Sequence, residues 1–212
     1  MFGMVLTGLC ALGLLGLAAQ VSARGLVVEW DRRLLAMVDS LRSPGVLDVF
    51  AVLTWLGDSV LLMPLALVVG IGMGWSIRSR APVVLLVLAS TGTYVTVELI
   101  KVLIARPRPP ALQTVVAEDG FGFPSGHSAH STAVYLVIAC LLVTILPALW
   151  QRISAVAVAV LLIVTTMCSR VVLGVHSPSD VVAGLLLGVA ITAFLLGIYH
   201  HPTRRIPAPT RS

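Results

Sequence analysis

Three short stretches hold most of the residues that could do chemistry. In the first, Glu98 and Lys101 precede Arg106-Pro107-Arg108-Pro109-Pro110. The second is Phe123-Pro124-Ser125-Gly126-His127-Ser128, and the third is Ser169-Arg170 followed by His176-Ser177-Pro178-Ser179-Asp180. Lysine and arginine are donors for phosphate-like anions, arginine in a two-pronged geometry. Each proline pushes the residue before it out of the helical region, so Arg108 is expected to stay near a helix end. Pro-Ser-Gly before an apolar run marks a helix start. The first N–H groups of that helix lack internal partners and favour an anion, which Gly126 lets approach the backbone. His127 can serve as acid or base near neutral pH. Ser177, Pro178 and Asp180 resemble a capping box with Asp in place of Glu. Asp180 therefore has two compatible roles: capping a helix, or bonding one ring nitrogen of His176 so that the other can attack. No Cys, His or carboxylate cluster has metal-ligand spacing. A tetrahedral, multiply charged anion such as phosphate is the natural guest.

The elements that must position these groups are helices across a membrane. The 212 residues suit one domain; 58% are hydrophobic and 11% charged, against about 25% charged in soluble proteins. Six runs reach the roughly 20 apolar residues needed to span a bilayer: Phe2–Ala19, Ser59–Ile77, Ala81–Ile104, Ser128–Trp150, Ile153–Val175 and Val181–Tyr199. Pro64 and Gly184 inside them are tolerated. The first run ends in Val21-Ser22-Ala23, which loosely fits a signal-peptidase site, but it lacks a basic leading segment and is expected to be retained.

A net charge of +5 and a pI near 9.7 would suggest nucleic acid in a soluble protein. Here Arg78, Arg80, Arg152, Arg204, Arg205 and Arg211 fall in short loops and the tail on one side, with no acidic residue among them. The positive-inside rule then puts both termini in the cytoplasm and all three stretches outside, and no nucleic-acid partner is expected. Cys10, Cys140 and Cys168 lie inside apolar runs and read as packing residues, not disulfides. Between the first and second spans, Trp30, Leu34, Met37, Val38 and Leu41 recur at helical spacing with Asp31, Arg32, Asp39 and Arg42 between them. That pattern predicts an amphipathic helix on the outer interface, packed over the bundle mouth. Ser43-Pro44 then predicts the start of a second short helix.

The three stretches together resemble the type-2 phosphatidic acid phosphatase superfamily, which also includes vanadium haloperoxidases. That signature is a Lys, six residues, then Arg-Pro; Pro-Ser-Gly-His; and Ser-Arg, five residues, His, three residues, Asp. Lys101 with Arg108-Pro109, Pro124 to His127, and Ser169-Arg170 with His176 and Asp180 match it in order and without gaps. The six-residue gap selects Arg108 over Arg106, which is left as an interface or supporting charge. The resemblance implies an all-α bundle of six transmembrane helices plus the interfacial helix. It implies a single membrane phosphatase domain over 1–212, with a motif core at 101–180, interfacial helices at about 29–57 and a cytoplasmic tail at 200–212. It further implies His176 as nucleophile, Asp180 as its orienting group and His127 as the proton donor. Lys101, Arg108, Ser125, Gly126 and Arg170 would hold the phosphoryl oxygens, with no metal and no cofactor. Glu98 would pair with Lys101, while His130, His200 and His201 are expected to stay outside the chemistry. A lipid phosphate or diphosphate is the expected substrate, of the prenyl diphosphate (undecaprenyl diphosphate among them), phosphatidylglycerophosphate or phosphatidate class. Phe121 and Phe123 would flank the site, which suits a substrate with its tail in lipid, and a bacterial inner membrane is the expected location. A phosphotransferase with the same site, a haloperoxidase, and a transporter or scaffold with a relic site are the alternatives.

Overall fold

The structure is a computed structural model in which residues 1–109 and 119–199 are described; Pro110, His200, His201, Arg204, Arg205 and Arg211 lie outside them. Among these residues, six helices are long and apolar enough to cross a membrane: α1 (Phe2–Ser22), α4 (Ser59–Ile77), α5 (Ala81–Ile104), α6 (Gly126–Ile145), α7 (Leu149–Val172) and α8 (Pro178–Tyr199). Two shorter helices, α2 (Leu26–Asp39) and α3 (Pro44–Leu53), lie between α1 and α4, and a 3₁₀ turn at Thr54–Gly57 leads into α4.

α4 and α5 have the bounds their apolar runs predict. The α6–α7 junction does not. The run through Trp150 is cut at Ile145, and α7 already starts at Leu149. Pro147 is the cause: it holds Leu146 in an extended conformation (φ −74, ψ 129), so the helix ends before it. Trp150 and Arg152 consequently belong to the first turn of α7. At the other end, α7 stops at Val172 because Gly174 takes a positive φ of 73, a conformation glycine adopts freely.

α6 is the centre of the bundle. In its most apolar 18-residue window 61% of residues are buried, against 6% for α1, which lies at the periphery. The core joins Leu62 and Ala66 of α4, Leu86 and Ala89 of α5, Val134 and Val137 of α6, and Ile163 of α7. α8 crosses α6 where a side chain would not fit: a Cβ on Gly184 would sit 2.5 Å from the Ser125 carbonyl oxygen, and one on Gly188 would sit 2.5 Å from Thr132 Cβ. Small residues permit such backbone approach within membranes. The crossing also aligns the two helix starts, where Ser125 N–H donates to the Asp180 carbonyl at 2.9 Å.

α2 forms as its periodicity predicts, with one charged side chain, Asp31, turned inward while Arg32 and Arg33 stay 73% and 64% exposed. Asp31 is buried, whereas Trp30, Leu34, Met37 and Leu41 are 42–72% exposed. In water the apolar face would turn in; at a membrane interface the surroundings are themselves apolar and the stripe can face out. The α2–α3 segment packs over the bundle mouth by Asp31 and Arg42 and by Leu47, which is buried with Leu173 and Val175.

Candidate active site

His176 lies between α7 and α8 and is only 1% exposed. Its Nδ1 is 2.8 Å from the carbonyl oxygen of Gly122, and its Nε2 is 3.2 Å from Arg108 Nη1. A carbonyl can only accept and a guanidinium can only donate. The ring is thus the Nδ1–H tautomer: Nδ1 donates to Gly122, and Nε2 presents a lone pair beside a cation. Arg108 is anchored by the carbonyls of Val175 (3.0 Å), Asp119 (3.1 Å) and Gly120 (3.3 Å).

Asp180 stands differently from the expectation that it bonds the ring. Its Oδ2 accepts from the Ser177 N–H at 2.8 Å, completing the cap of α8, and lies 3.7 Å from His176 Nδ1. That is ion-pair range for a cationic ring but too long for a hydrogen bond. Its Oδ1 accepts from Arg106 Nη1. Arg106, read from sequence as a supporting charge, also donates to Ser179 Oγ at 2.8 Å and to Asp31 Oδ2 at 2.8 Å. Asp31 in turn accepts from the Ser179 N–H at 2.9 Å. One interfacial carboxylate, one arginine and the start of α8 therefore form a closed buried network directly after the His176 turn.

A cavity of about 180 Å³ opens beside His176. Lys101, Arg108, Gly126, His127 and His176 all line it, together with Gly57, Ser59, Tyr94, Val97, Glu98, Asp119 and His130. Lys101 Nζ donates to Glu98 Oε1 at 2.8 Å, the pairing their spacing suggests. A Cβ on Gly126 would meet Val97 Cγ1 at 3.5 Å and Lys101 Nζ at 4.0 Å, so the bare first turn of α6 faces the lysine. His127 Nε2 is 3.6 Å from Asp58 Oδ2. His130 is buried, its Nε2 3.2 Å from Ser90 Oγ on α5.

Three expected site residues do not line the cavity. Ser125 is fully buried, and its hydroxyl caps α6 by accepting from the Ser128 N–H at 3.5 Å and the Ser128 hydroxyl at 3.1 Å. Arg170 is likewise fully buried, with Nη1 donating to Thr54 Oγ1 at 2.6 Å. Asp180 stands behind His176. Phe121 and Phe123, expected to flank the site, do not line the cavity either: Phe123 is fully buried against Val21 and Ala183, and Phe121 is 38% exposed. Sequence reading missed Asp31, Asp58 and the Gly122 carbonyl. The rule that flagged Glu98, an ionisable group beside a span, applies equally to Asp58.

The sequence pattern of the PAP2 superfamily matches residues 82–204, more than half of the chain. The chain belongs to the PAP2 superfamily. It is 35% identical over 158 residues to phosphatidylglycerophosphatase B of Bacillus subtilis (strain 168), covering 74% of this chain and 77% of that relative. It is 34% identical over 100 residues to decaprenylphosphoryl-5-phosphoribose phosphatase of Mycobacterium tuberculosis, covering 46% and 50% of the two chains. The crystal structure of a transmembrane PAP2-type phosphatidylglycerolphosphate phosphatase from Bacillus subtilis superposes with a TM-score of 0.84 at 31% identity, over 94% of this chain and 98% of that one. PAP2 membership together with these phosphatase relatives makes the chain a multi-span membrane phosphatase. The motif helices α5 to α8 fall within the matched PAP2 region, whereas α1 to α4 precede it.

Proposed function

We propose that this PAP2 protein removes phosphate from a lipid phosphate or diphosphate through a phospho-histidine at His176, without a metal, on the extracytoplasmic side of the cell membrane. The observation that carries this is the orientation of one ring: the Gly122 carbonyl holds the proton on Nδ1, and the Nε2 lone pair is turned to Arg108 in a cavity also lined by Lys101 and the start of α6. Those cations and the helix N-terminus supply the charge stabilisation on which phosphoryl transfer depends.

In the first step the Nε2 lone pair forms a bond to phosphorus. The bond from phosphorus to the leaving oxygen breaks, and its electron pair stays on that oxygen, which takes a proton from His127. His176 then carries phosphorus on Nε2 and a proton on Nδ1, so its ring is cationic. Asp180, 3.7 Å from Nδ1, offsets that charge. In the second step neutral His127 takes a proton from water, the hydroxide oxygen bonds phosphorus, and the P–N electron pair returns to Nε2.

The cavity favours a lipid over a soluble substrate. At about 180 Å³ it is smaller than the roughly 300–1,000 Å³ of an ordinary small-molecule site. It admits a phosphate-bearing head group, and the remainder of the substrate stays outside. Its α5 wall runs from Lys101 to Tyr94, about 10 Å along the helix at 1.5 Å per residue. Exposed Val95, Leu99 and Val102 stand on the same helix for a lipid tail to lie against. Relatives named for a phosphatidylglycerophosphate and for a decaprenyl-linked phosphate support both lipid classes. Arg78, Arg80 and Arg152, at the end of the bundle opposite the site, support the proposed sidedness.

The test uses purified protein in detergent with EDTA and measures phosphate released from prenyl diphosphate, phosphatidylglycerophosphate and phosphatidate. At least one should be hydrolysed, vanadate should inhibit, and His176→Ala should abolish turnover. Release that needs added metal, or that survives His176→Ala, overturns the mechanism. In sealed right-side-out spheroplasts, a short-chain substrate added outside should be consumed; turnover only after lysis overturns the sidedness.

A further inference from the structure

We infer that Asp58 is the positioning residue for His127, holding it in the protonated form that hands a proton to the leaving oxygen. The inference rests on the assignment of His127 as that donor. Asp58 precedes α4, and its two carboxylate oxygens have separate tasks. Oδ1 accepts from the Val60 N–H at 2.8 Å and caps α4. Oδ2 lies 3.6 Å from His127 Nε2, within ion-pair range, though too far for a hydrogen bond. The backbone is built to bring them together. Gly57 packs so closely on His127 that an added Cβ would lie 3.1 Å from the His127 carbonyl oxygen and 3.2 Å from its Cβ. The same Cβ would collide with Thr166 Cγ2 at 2.2 Å. The 3₁₀ turn is thereby pressed between α6 and α7, and Asp58 follows between Gly57 and Ser59, both of which line the cavity.

An imidazole can donate to the leaving oxygen only when it carries the extra proton. His127 sits in the first turn of α6, where the helix dipole opposes positive charge, and near the Lys101 and Arg108 cations. Both influences would strip the proton. A carboxylate at ion-pair distance opposes them and favours the imidazolium. Glu98, by comparison, is already bonded to Lys101. The proton His127 gives up in the first step returns to it from water in the second, so Asp58 itself exchanges none.

Asp58→Asn separates the two tasks, because asparagine is as good an N-cap as aspartate but carries no charge. On phosphatidate, or whichever lipid substrate the panel identifies, Asp58→Asn should lower kcat by about 10–100-fold, within the span credited to general acid–base catalysis, with KM changed little. In a His127→Ala background the same substitution should cost under about threefold, because a residue acting through His127 has nothing left to act on. The thermal midpoint should stay that of the wild type, whereas Asp58→Ala should lower it through loss of the cap. As a second readout, the loss should shrink to under about threefold on 4-nitrophenyl phosphate, whose leaving group departs without a proton. Equal losses in both backgrounds, or wild-type kcat for Asp58→Asn, overturn the role of Asp58. Wild-type kcat for His127→Ala would instead overturn the assignment of His127, so the two failures are distinguishable.

Discussion

The α5–α8 half and the 26–58 segment contribute to the site in different currencies. The first brings Lys101, Arg108, Gly126, His127 and His176 to one cavity. The second lends side chains that hold those groups from behind. Asp31 binds Ser179 and Arg106. Arg42 Nε donates to the Val172 carbonyl at 2.7 Å, at the end of α7. Thr54 accepts from Arg170, and Asp58 faces His127. Contacts run the other way too: Tyr135 on α6 donates to the Leu56 carbonyl at 2.7 Å. Arg42 and Asp31 bracket the His176 turn, one at the end of α7 and one at the start of α8. The interfacial segment is thus the frame of the site, although the family pattern begins only at residue 82.

If the segment were merely a cover, removing its inward groups would cost little. The largest effect is expected for Asp31→Ala. It leaves the Arg106 guanidinium, 11% exposed, without one of its two carboxylates and the buried Ser179 N–H without its acceptor. Breaking a buried ion pair on one side costs on the order of 3–5 kcal/mol. A large fall in the thermal midpoint in detergent should accompany loss of turnover, since the network adjoins both Arg108 and His176. A wild-type midpoint would reduce the segment to a cover.

Thr54→Val should have the intermediate effect. The swap keeps the side-chain shape and takes away the hydroxyl that accepts from Arg170 Nη1 at 2.6 Å. Loss of a hydrogen bond to a charged group costs about 1.5–3 kcal/mol. Because Arg170 is fully buried behind the cavity, phosphate release should drop while Lys101 and Arg108 keep their bonds. Unchanged stability and turnover would separate Arg170 from the frame.

The same contrast explains what could be read in the sequence. Runs of apolar residues placed the spans because lipid demands them, and Pro147 misled only because prolines are tolerated inside spans. The cavity residues were legible as a group because each sits at a helix end within a short, ordered motif. The frame was not. The Gly122 carbonyl acts through the backbone, which every residue carries. Asp58 looked like any N-cap before a helix. Asp31 shares its charged pattern with Arg32 and Asp39, and nothing in the spacing marks it as the one that turns inward. Asp180 was assigned both tasks that sequence allows, and the geometry gives its direct bonds to the cap and to Arg106, with the ring served at longer range.

The sharpest contrast lies within α2, between residues three apart. Leu34 is apolar yet 42% exposed, while Asp31 is charged yet 3% exposed. Leu34→Gln should therefore have the smallest effect of the set, shifting stability by no more than about 0.5 kcal/mol, as for surface substitutions generally. Turnover in detergent should match the wild type, because Leu34 touches neither Arg106 nor Ser179 by any hydrogen bond and its stripe faces away from the bundle. Paired thermal melts of Leu34→Gln and Asp31→Ala in one detergent would measure the inversion directly. If Leu34→Gln proved the more damaging, the apolar stripe would be packed against protein, and the inversion between Asp31 and Leu34 would be wrong.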